Sequence, residues 1–485
     1  MSAGREGSGQ AAAATVAAAA RAGEVRVLVP VGMLGGGFPA ETVARGIAMG
    51  ADIIAVDGGS TDSGPHYLGT ATAKTARRAV ARDLRILVVA ARAAGIPVVV
   101  GSCGTSGTDA GVDWVHGILA EIAQQEQLTL SVARIYSEQS AGDLAPLLQD
   151  GRIRPLDPAG PLDPAVLASC NHVVGLMGHE PIAAALAAGA DVVLAGRATD
   201  TALLAALPLA RGCAPGAAWH AAKTAECGGL CTTSPRSGGV LITVDGDGFT
   251  IEPLAEEAAC TPRTVAAHMM YENADPYRLR EPAGTLDTSQ ATYQALDGRR
   301  VRVEGSRFEP ASQYTVKLEG AAAAGWRSMI LVGIRSPAVL ARLDEWCERV
   351  LGYLHDNIPA TLGLPEGQWD VQLRRYGHDA VLGAAEPDRD LPPREVAVVF
   401  LATAADQGTA TEIAKFANPL LLHAPLPDEQ ALPSYAFLTS PAEVECGQSF
   451  EFLLQHAVDV DAPDQLFRTV TSILAPSPTT GQAGT

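Results

Sequence analysis

Aromatic residues are scarce in this sequence, and positive charge is in deficit. Aromatics make up 5% of the 485 residues, whereas glycine occurs 50 times. The 35 basic and 54 acidic residues give a formal net charge of −19. Nucleic-acid-binding surfaces need positive patches that neutralise phosphates, so this composition argues against a nucleic-acid partner. The apolar fraction of 47% and the many small residues favour a globular α/β protein with a closely packed core.

Long hydrophobic runs are also missing. No run reaches the roughly 20 apolar residues that a membrane-spanning helix needs. The Ala-rich segment 11–20 is only weakly hydrophobic, and a core-like strand begins soon afterwards at Val25, so a secretion signal is not expected. We expect a cytoplasmic protein without a membrane partner and, as for many long α/β chains, a homo-oligomer.

The sequence lacks the motifs of the common cofactor sites. Its eight cysteines are spread along the chain, without the dense spacing of a disulfide scaffold. Cys227 and Cys231 form the closest pair, but no second pair and no nearby histidine completes a zinc-binding set. No G-K-[ST] motif is present, and residues 32–37 do not match G-x-G-x-x-G. We therefore expect reduced thiols, no nucleotide and no other cofactor.

Short apolar runs alternate with helical segments in the first half of the chain. The runs 25–31, 51–57 and 96–102 are rich in β-branched residues, which is typical of parallel strands buried on both faces. Alternation with helices predicts βαβ units. We predict an α/β fold with a parallel, Rossmann-like sheet in the N-terminal half, followed by an α+β unit and a smaller C-terminal region.

Changes in composition suggest where the domains end. From about 235 a hairpin pattern with Asp-Gly turns replaces the strand–helix alternation, and an acidic, proline-rich stretch at 384–393 opens a third region. The predicted divisions are a disordered Ala/Gly-rich tail at 1–24, an α/β domain at 25–234 that carries the predicted site, an α+β domain at 235–383, a C-terminal α/β region at 384–473 and a tail at 474–485.

Three glycine-containing loops that follow predicted strands end in Thr-Asp, at 61–62, 108–109 and 199–200. Because the carboxyl ends of parallel strands meet at one edge of a sheet, the three loops are expected to converge there. Two interpretations remain open. The Thr-Asp pairs could cap the helices that follow, or they could form a shared ligand site. Three converging aspartates could also hold Mg²⁺ through oxygen ligands.

These loops contain the residue types that acid–base and anion-binding chemistry needs. Glycines let backbone N–H groups face a ligand, hydroxyls add donors, and Arg197 could clamp a carboxylate or phosphate unless it pairs with Asp200. Cys103 could be a nucleophile, although a buried inert cysteine is more common. The predicted catalytic residues are Asp62, His66, Cys103, Asp109, Asp200 and Glu226. The predicted substrate-binding residues are Asp57, Ser60, Thr61, Ser63, Tyr67, Ser102, Thr105, Thr108, Arg197, Thr199, Cys227, Tyr271 and Asp287.

Tyr271 and Asp287 in that set come from two later segments, 268–277 and 282–294, which look like loops that could close over the site.

Three segments resemble one protein family. "AVDGGSTDSGPHYLG" (55–69), "GRATDTA" (196–202) and "ECGGLCTT" (226–233) are similar to segments of the acyclic terpene utilisation family, the AtuA-like proteins. The resemblance runs from about Val25 to the end of the 380s and extends towards 475. The family name implies the degradation of branched terpenoid intermediates that carry a carboxylate or a CoA group.

The residues and the resemblance together suggest a cofactor-independent enzyme that acts on a small carboxylate- or CoA-bearing substrate. We favour a hydro-lyase, because hydration or dehydration needs anion clamps and an acid/base group but no cofactor. A hydrolase or acyl-transfer enzyme that uses Cys103 is an alternative, weakened by the missing G-x-S-x-G motif. A non-catalytic subunit that holds a substrate inside a larger assembly is the third possibility.

Overall fold

The computed structural model describes residues 23–427 and 433–477. Residues 1–22 and 478–485 of the two predicted tails lie outside the described residues, whereas Leu474 at the start of the second tail still belongs to a strand. The described residues form two compact units, one within 23–322 and 452–477, and the other within 323–427 and 433–451. The chain passes from the first unit to the second and back within two long strands.

The strands of the described residues, numbered in chain order, are β1 (Val25–Val29), β2 (Ile53–Asp57), β3 (Val98–Gly101), β4 (Leu130–Tyr136), β5 (Ile153–Pro155), β6 (His172–Leu176), β7 (Val192–Ala195), β8 (Val240–Val244), β9 (Gly248–Pro253), β10 (Arg278–Glu281), β11 (Gly284–Asp287), β12 (Thr292–Ala295), β13 (Val301–Glu304), β14 (Arg307–Pro310), β15 (Thr315–Ile334), β16 (Trp369–Tyr376), β17 (Val396–Ala404), β18 (Ala436–Phe437), β19 (Val444–Asp459) and β20 (Arg468–Leu474).

The α-helices of the described residues are α1 (Ala40–Ala48), α2 (Pro65–Thr70), α3 (Arg77–Ala94), α4 (Asp109–Gln125), α5 (Ala141–Gln149), α6 (Pro164–Ser169), α7 (Glu180–Ala187), α8 (Asp200–Ala210), α9 (Pro215–Ala225), α10 (Pro262–Ala267), α11 (Pro337–Leu340), α12 (Leu343–Leu362) and α13 (Gln407–His423). Short 3-10 turns occur at Thr61–Ser63, Gly228–Cys231, His268–Met270 and Gly383–Ala385.

A ten-stranded sheet forms the frame of the first unit. Its order is β12-β13-β9-β8-β1-β2-β3-β7-β4-β20. The central strands β1, β2, β3, β7 and β4 are parallel, so their carboxyl ends share one edge. β2 is buried along its whole length, as a strand covered on both faces should be. The α/β class and the parallel strands at the centre are therefore confirmed.

The sheet as a whole is mixed, so the prediction of a parallel Rossmann-like sheet is wrong beyond these central strands. β8 pairs antiparallel with β1, and β20 pairs antiparallel with β4. The residue pattern within each segment predicts a strand. The direction of that strand in the sheet depends on where the chain returns to the sheet, which the local pattern does not show. The first unit also contains a smaller antiparallel sheet with the strand order β10-β11-β14.

The second unit has its own core. β17 pairs antiparallel with β16 and with residues 326–334 of β15. Alternate residues of β17 are buried, which is typical of a sheet with one covered face. Side chains of α12 and α13, among them Trp346 and Ile413, pack into the same apolar cluster as Phe400.

Among the described residues, no helix combines the length and the apolar character needed to cross a lipid bilayer.

Helix capping provides a test of this local structure. Thr108 precedes α4 and accepts a hydrogen bond from the Gly111 N–H at 3.2 Å. We expect Thr108→Val to lower the free energy of unfolding by about 1 kcal/mol, because the cap hydroxyl is lost while the volume is kept. Urea denaturation measures this change.

Thr224→Val is the matched control. Thr224 is equally buried, and within the described part of the chain its hydroxyl has no hydrogen-bond partner. Removing an unpaired hydroxyl should leave stability unchanged or raise it. Equal destabilisation by both variants would contradict the capping role of Thr108.

Candidate functional site

A cavity of about 660 Å³ lies at the carboxyl ends of β1 and β2. Loops that follow these strands, the N-terminus of α8 and the segment after α9 contribute to its lining. The residues that line it come from 30–39 (Pro30, Val31, Gly32, Met33, Gly36, Gly37, Phe38 and Pro39), from the first Thr-Asp loop (Asp57, Gly59, Ser60, Asp62 and Ser63), and from elsewhere in the first unit (Lys74, Asp200, Cys227, Gly229, Leu230, Pro235, Arg236, Gly238, Tyr271 and Glu272).

The first Thr-Asp loop rests directly on the second. Gly59 has a φ of +137°, and a Cβ placed there would lie 2.7 Å from the Thr105 Cα. Only glycine fits this conformation and this approach. The Gly58 N–H also donates to the Gly101 carbonyl at 2.8 Å, so the backbone after β2 is fixed to the backbone after β3.

Asp57 is a buried acid of the cavity lining. Its side chain is 6% exposed, and its Oδ2 accepts a hydrogen bond from the Gly59 N–H at 2.9 Å. Oδ1 is buried and has no hydrogen-bond partner among the described residues. Burial, and then the negative charge of Asp200, raise the pKa of Asp57 well above its usual range. Asp57 is therefore poised to keep a proton that most aspartates release.

Asp200 is the first residue of α8, and its carboxyl group faces the same cavity. Burial raises its pKa, while the Arg197 guanidinium, whose Nη1 is 3.7 Å from Oδ1, lowers it in part. The charge of Asp200 acts on Asp57, so the state in which both carboxyl groups are ionised is disfavoured.

Arg197 is buried and already paired, which differs from its predicted role as a substrate clamp. Its Nε donates to Glu319 Oε2 at 3.0 Å, and its Nη1 donates to Ser102 Oγ at 3.2 Å. The hydroxyl of Thr61 donates to the same Glu319 oxygen at 2.9 Å. Although burial opposes ionisation, the charges of Arg197 and Lys317 hold the pKa of Glu319 at about 2. Arg197 and Thr61 therefore support the loops and do not line the cavity.

The second loop is structural. Ser102, Thr105 and Thr108 are all buried, and none of them lines the cavity. Thr105 Oγ1 accepts the Lys74 N–H at 2.9 Å, and Thr108 caps α4. These three residues hold the loop in place, which corrects their predicted contact with substrate.

Cys103 is buried away from the cavity, which argues against its predicted role as a nucleophile. Its side chain is fully buried in the apolar cluster on one face of the sheet. Its thiol points to the Val100 carbonyl at 3.6 Å. Burial, followed by the charge of Asp57, raises the pKa of the thiol, so the reactive thiolate is disfavoured. We therefore remove Cys103 from the candidate site.

Four further predicted residues lie away from the cavity lining. Asp109 and Glu138 exchange hydrogen bonds through their backbone N–H groups and carboxylates, at 3.0 and 3.2 Å. His66 is exposed on α2 and meets the ring of Tyr67 edge-on at 5.3 Å. Asp287 lies on the small antiparallel sheet, where its Oδ2 is 3.3 Å from the Nη1 of Arg278.

The repeated Thr-Asp motif divides between the two interpretations. The threonines of two copies cap helices, since Thr199 accepts the Ala202 N–H as Thr108 accepts that of Gly111. In the first copy Ser60 takes the capping place and accepts the Asp62 N–H at 3.3 Å. Two of the three aspartates, Asp62 and Asp200, line the cavity. The aspartate of the second loop, Asp109, does not line the cavity, so the three loop aspartates do not converge as expected. The third aspartate of the cavity lining is Asp57.

The cavity wall also contains the predicted hydroxyl and thiol groups. Ser60 Oγ donates to Asp62 Oδ2 at 2.7 Å, and Ser63 Oγ accepts from Lys74 Nζ at 3.0 Å. Cys227 and Tyr271 also line the cavity.

Two further buried acids lie outside the cavity lining and have raised pKa values. Glu226, which was predicted, accepts from Lys223 Nζ at 2.5 Å, and burial raises its pKa to about 8. Glu281, which sequence reasoning missed, accepts from the hydroxyls of Thr199 at 2.9 Å and Thr201 at 2.5 Å. Burial raises the pKa of Glu281 to about 7. Lys223 could have been found as the residue one helical turn before Glu226, whereas no local signal identifies Glu281.

Comparison with known proteins gives one match. The family model described as acyclic terpene utilisation family protein AtuA matches residues 69–427. No curated protein and no solved structure matches the chain.

The raised pKa of Glu281 has a measurable consequence for stability. A carboxyl group with a pKa of about 7 in the folded chain and 4.5 as the ordinary value binds its proton more tightly when folded. Its contribution therefore falls as pH rises above about 4.5 and is fully lost above about 7. Between pH 5 and 8 we expect the free energy of unfolding of the wild type to fall by on the order of 3 kcal/mol more than that of Glu281→Gln.

Urea unfolding at a series of pH values measures the difference between the variant and the wild type. Glu257→Gln, at an exposed position of the same unit, is the control and should follow the wild-type curve. A Glu281→Gln curve parallel to the wild type would show that Glu281 ionises normally.

Proposed function

The chain belongs to the acyclic terpene utilisation family, and we propose that this member is a lyase that adds water to, or removes it from, a small substrate carrying a carboxylate or a CoA group. The terpenoid association of the family supports a branched substrate of this kind. The proposal concerns the cavity at the ends of β1 and β2.

One observation carries the proposal, namely that two acids line the same cavity and that one of them, Asp57, is buried with a carboxylate oxygen that has no hydrogen-bond partner within the described chain. Asp57 Oδ1 has no partner among the described residues, while Asp57 and Asp200 line the same space. Their raised pKa values favour a pair that keeps one proton more readily than exposed aspartates do. General acid–base catalysis needs one group that donates a proton and one that accepts it.

A dehydration on this pair keeps its protons in balance. The ionised carboxylate removes the C–H proton next to the carbonyl, and the protonated carboxyl donates its proton to the leaving hydroxyl. A carbon–carbon double bond forms, the carbon–oxygen bond breaks, and water leaves. The pair holds one proton before and after the reaction, and hydration follows the same steps in reverse.

The remaining wall of the cavity suits an amphipathic substrate. Lys74 and Arg236 provide positive charge for a carboxylate or phosphate. Apolar contact is available from Val31, Met33 and Phe38. An apolar branched chain with one anionic end would use both kinds of surface.

Asp57→Asn tests the acid–base pair. Branched α,β-unsaturated carboxylates and their CoA thioesters are incubated with the protein in ¹⁸O-labelled water, and incorporation into product is followed by mass spectrometry. We expect the wild type to incorporate ¹⁸O and Asp57→Asn to lose at least about 100-fold in rate, because an amide cannot exchange the proton.

Asp109→Asn is the matched control, since Asp109 also follows a strand of the sheet but does not line the cavity. Its rate should equal that of the wild type. A wild-type protein that is stabilised by a test compound without ¹⁸O incorporation would contradict the lyase and favour a substrate-holding subunit.

A further inference from the structure

The fold brings together three metal-ligating side chains that the sequence separates. Glu226 and Cys227 follow directly on α9, and His268 begins the 3-10 turn after α10. One ligand atom from each of the three residues lies within 4.8 Å of the other two. Glu226 and His268 are buried, and Cys227 is half-buried.

The donor set is the kind that divalent transition metals prefer. A carboxylate oxygen, a thiolate sulfur and an imidazole nitrogen are the ligand types of zinc sites, and three protein ligands are typical of zinc sites that keep a fourth position open. Magnesium and calcium prefer oxygen ligands only, so the cysteine and the histidine argue for a softer ion.

A second observation points to a missing partner. His268 is 5% exposed, and its Nε2 is buried without a hydrogen-bond partner among the described residues. Buried ring nitrogens are normally paired.

Cys227 also lines the cavity, so an ion at this position would lie beside the space in which we place the substrate.

We propose that Glu226, Cys227 and His268 bind one divalent transition-metal ion of the zinc type. These three ligands do not include Asp57 or Asp200, and neither proposal depends on the other. Binding replaces the thiol proton of Cys227, and the proton of Glu226 where that carboxyl group is protonated, with bonds to the metal, and these protons are released to solvent. The fourth coordination position is then free for water or for a substrate oxygen.

The geometry requires small adjustments. Ligand atoms of a tetrahedral zinc ion are about 3.5 Å apart, given metal–ligand bonds of about 2.0–2.3 Å. Because the three donor atoms lie within 4.8 Å of one another, they need to approach by at most about 1.3 Å. Lys223 must also move away from Glu226 when the metal binds, because its Nζ lies 2.5 Å from Glu226 Oε1 and donates a hydrogen bond to that oxygen. The ring of Tyr271, with its centroid 5.8 Å from the same Nζ, is an alternative neighbour for the ammonium.

The position of Lys223 makes the experiment specific. The full-length protein is stripped with a chelator, and the binding of Zn²⁺ alone is measured by titration calorimetry. We expect one Zn²⁺ per chain, at least tenfold weaker binding in Cys227→Ser and His268→Asn, and tighter binding in Lys223→Met. A residue with a purely structural role would not raise the affinity when its charge is removed.

Co²⁺ gives an independent readout, since a thiolate ligand produces a charge-transfer band in the near ultraviolet. The band should be present in the wild type and in the control Cys231→Ser, a neighbouring buried cysteine outside the three-residue set, and absent in Cys227→Ser. No Zn²⁺ binding by the wild type, or binding that Cys227→Ser and His268→Asn leave unchanged, would overturn the proposal. Weaker binding in Lys223→Met would also count against it.

Discussion

The buried ion pair between Arg197 and Glu319 holds the candidate site together. The guanidinium comes from the loop after β7, and the carboxylate comes from the first part of β15. Arg197 also donates to Ser102 after β3, and Glu319 accepts from Thr61 after β2. One pair of charges thus joins the ends of three parallel strands. An unpaired charge at this depth would be strongly destabilising, so the loops are held where both partners can meet.

This pair also sets the electrostatics of its surroundings. Since the guanidinium is largely balanced by Glu319, it neutralises Asp57 and Asp200 only in part, and burial then determines their ionisation. Lys223 is similarly engaged by Glu226. The result is an acidic cavity in which several carboxyl groups keep protons at a pH where exposed ones lose them. In a chain with a formal net charge of −19, the buried acids of the candidate site are therefore less fully ionised than exposed acids.

The sequence could predict the features that depend on neighbouring residues. β-branched apolar runs identified the central strands, and the loops after them contained Asp57, Asp62 and Asp200, which do line the cavity. The direction of β8 and β20 could not be predicted, because it depends on distant returns of the chain.

The errors within the site have a similar origin. Cys103 sits beside Ser102, whose φ is +39°, and this unusual turn directs the thiol into the core. The partners of the loop residues are also remote in sequence. Glu319 reaches Thr61 across 258 positions, and Glu281 reaches Thr201 across 80.

During synthesis, one edge of the ten-stranded sheet stays exposed until the last strand has been made. β20 covers the outer edge of β4, but the two strands are separated by the whole of the second unit. Until β20 emerges from the ribosome, β4 presents unpaired backbone groups along one edge, and such an edge can pair with another chain. Truncated or stalled chains that end before Arg468 would keep this edge open, which makes the last strand a protection against aggregation during synthesis.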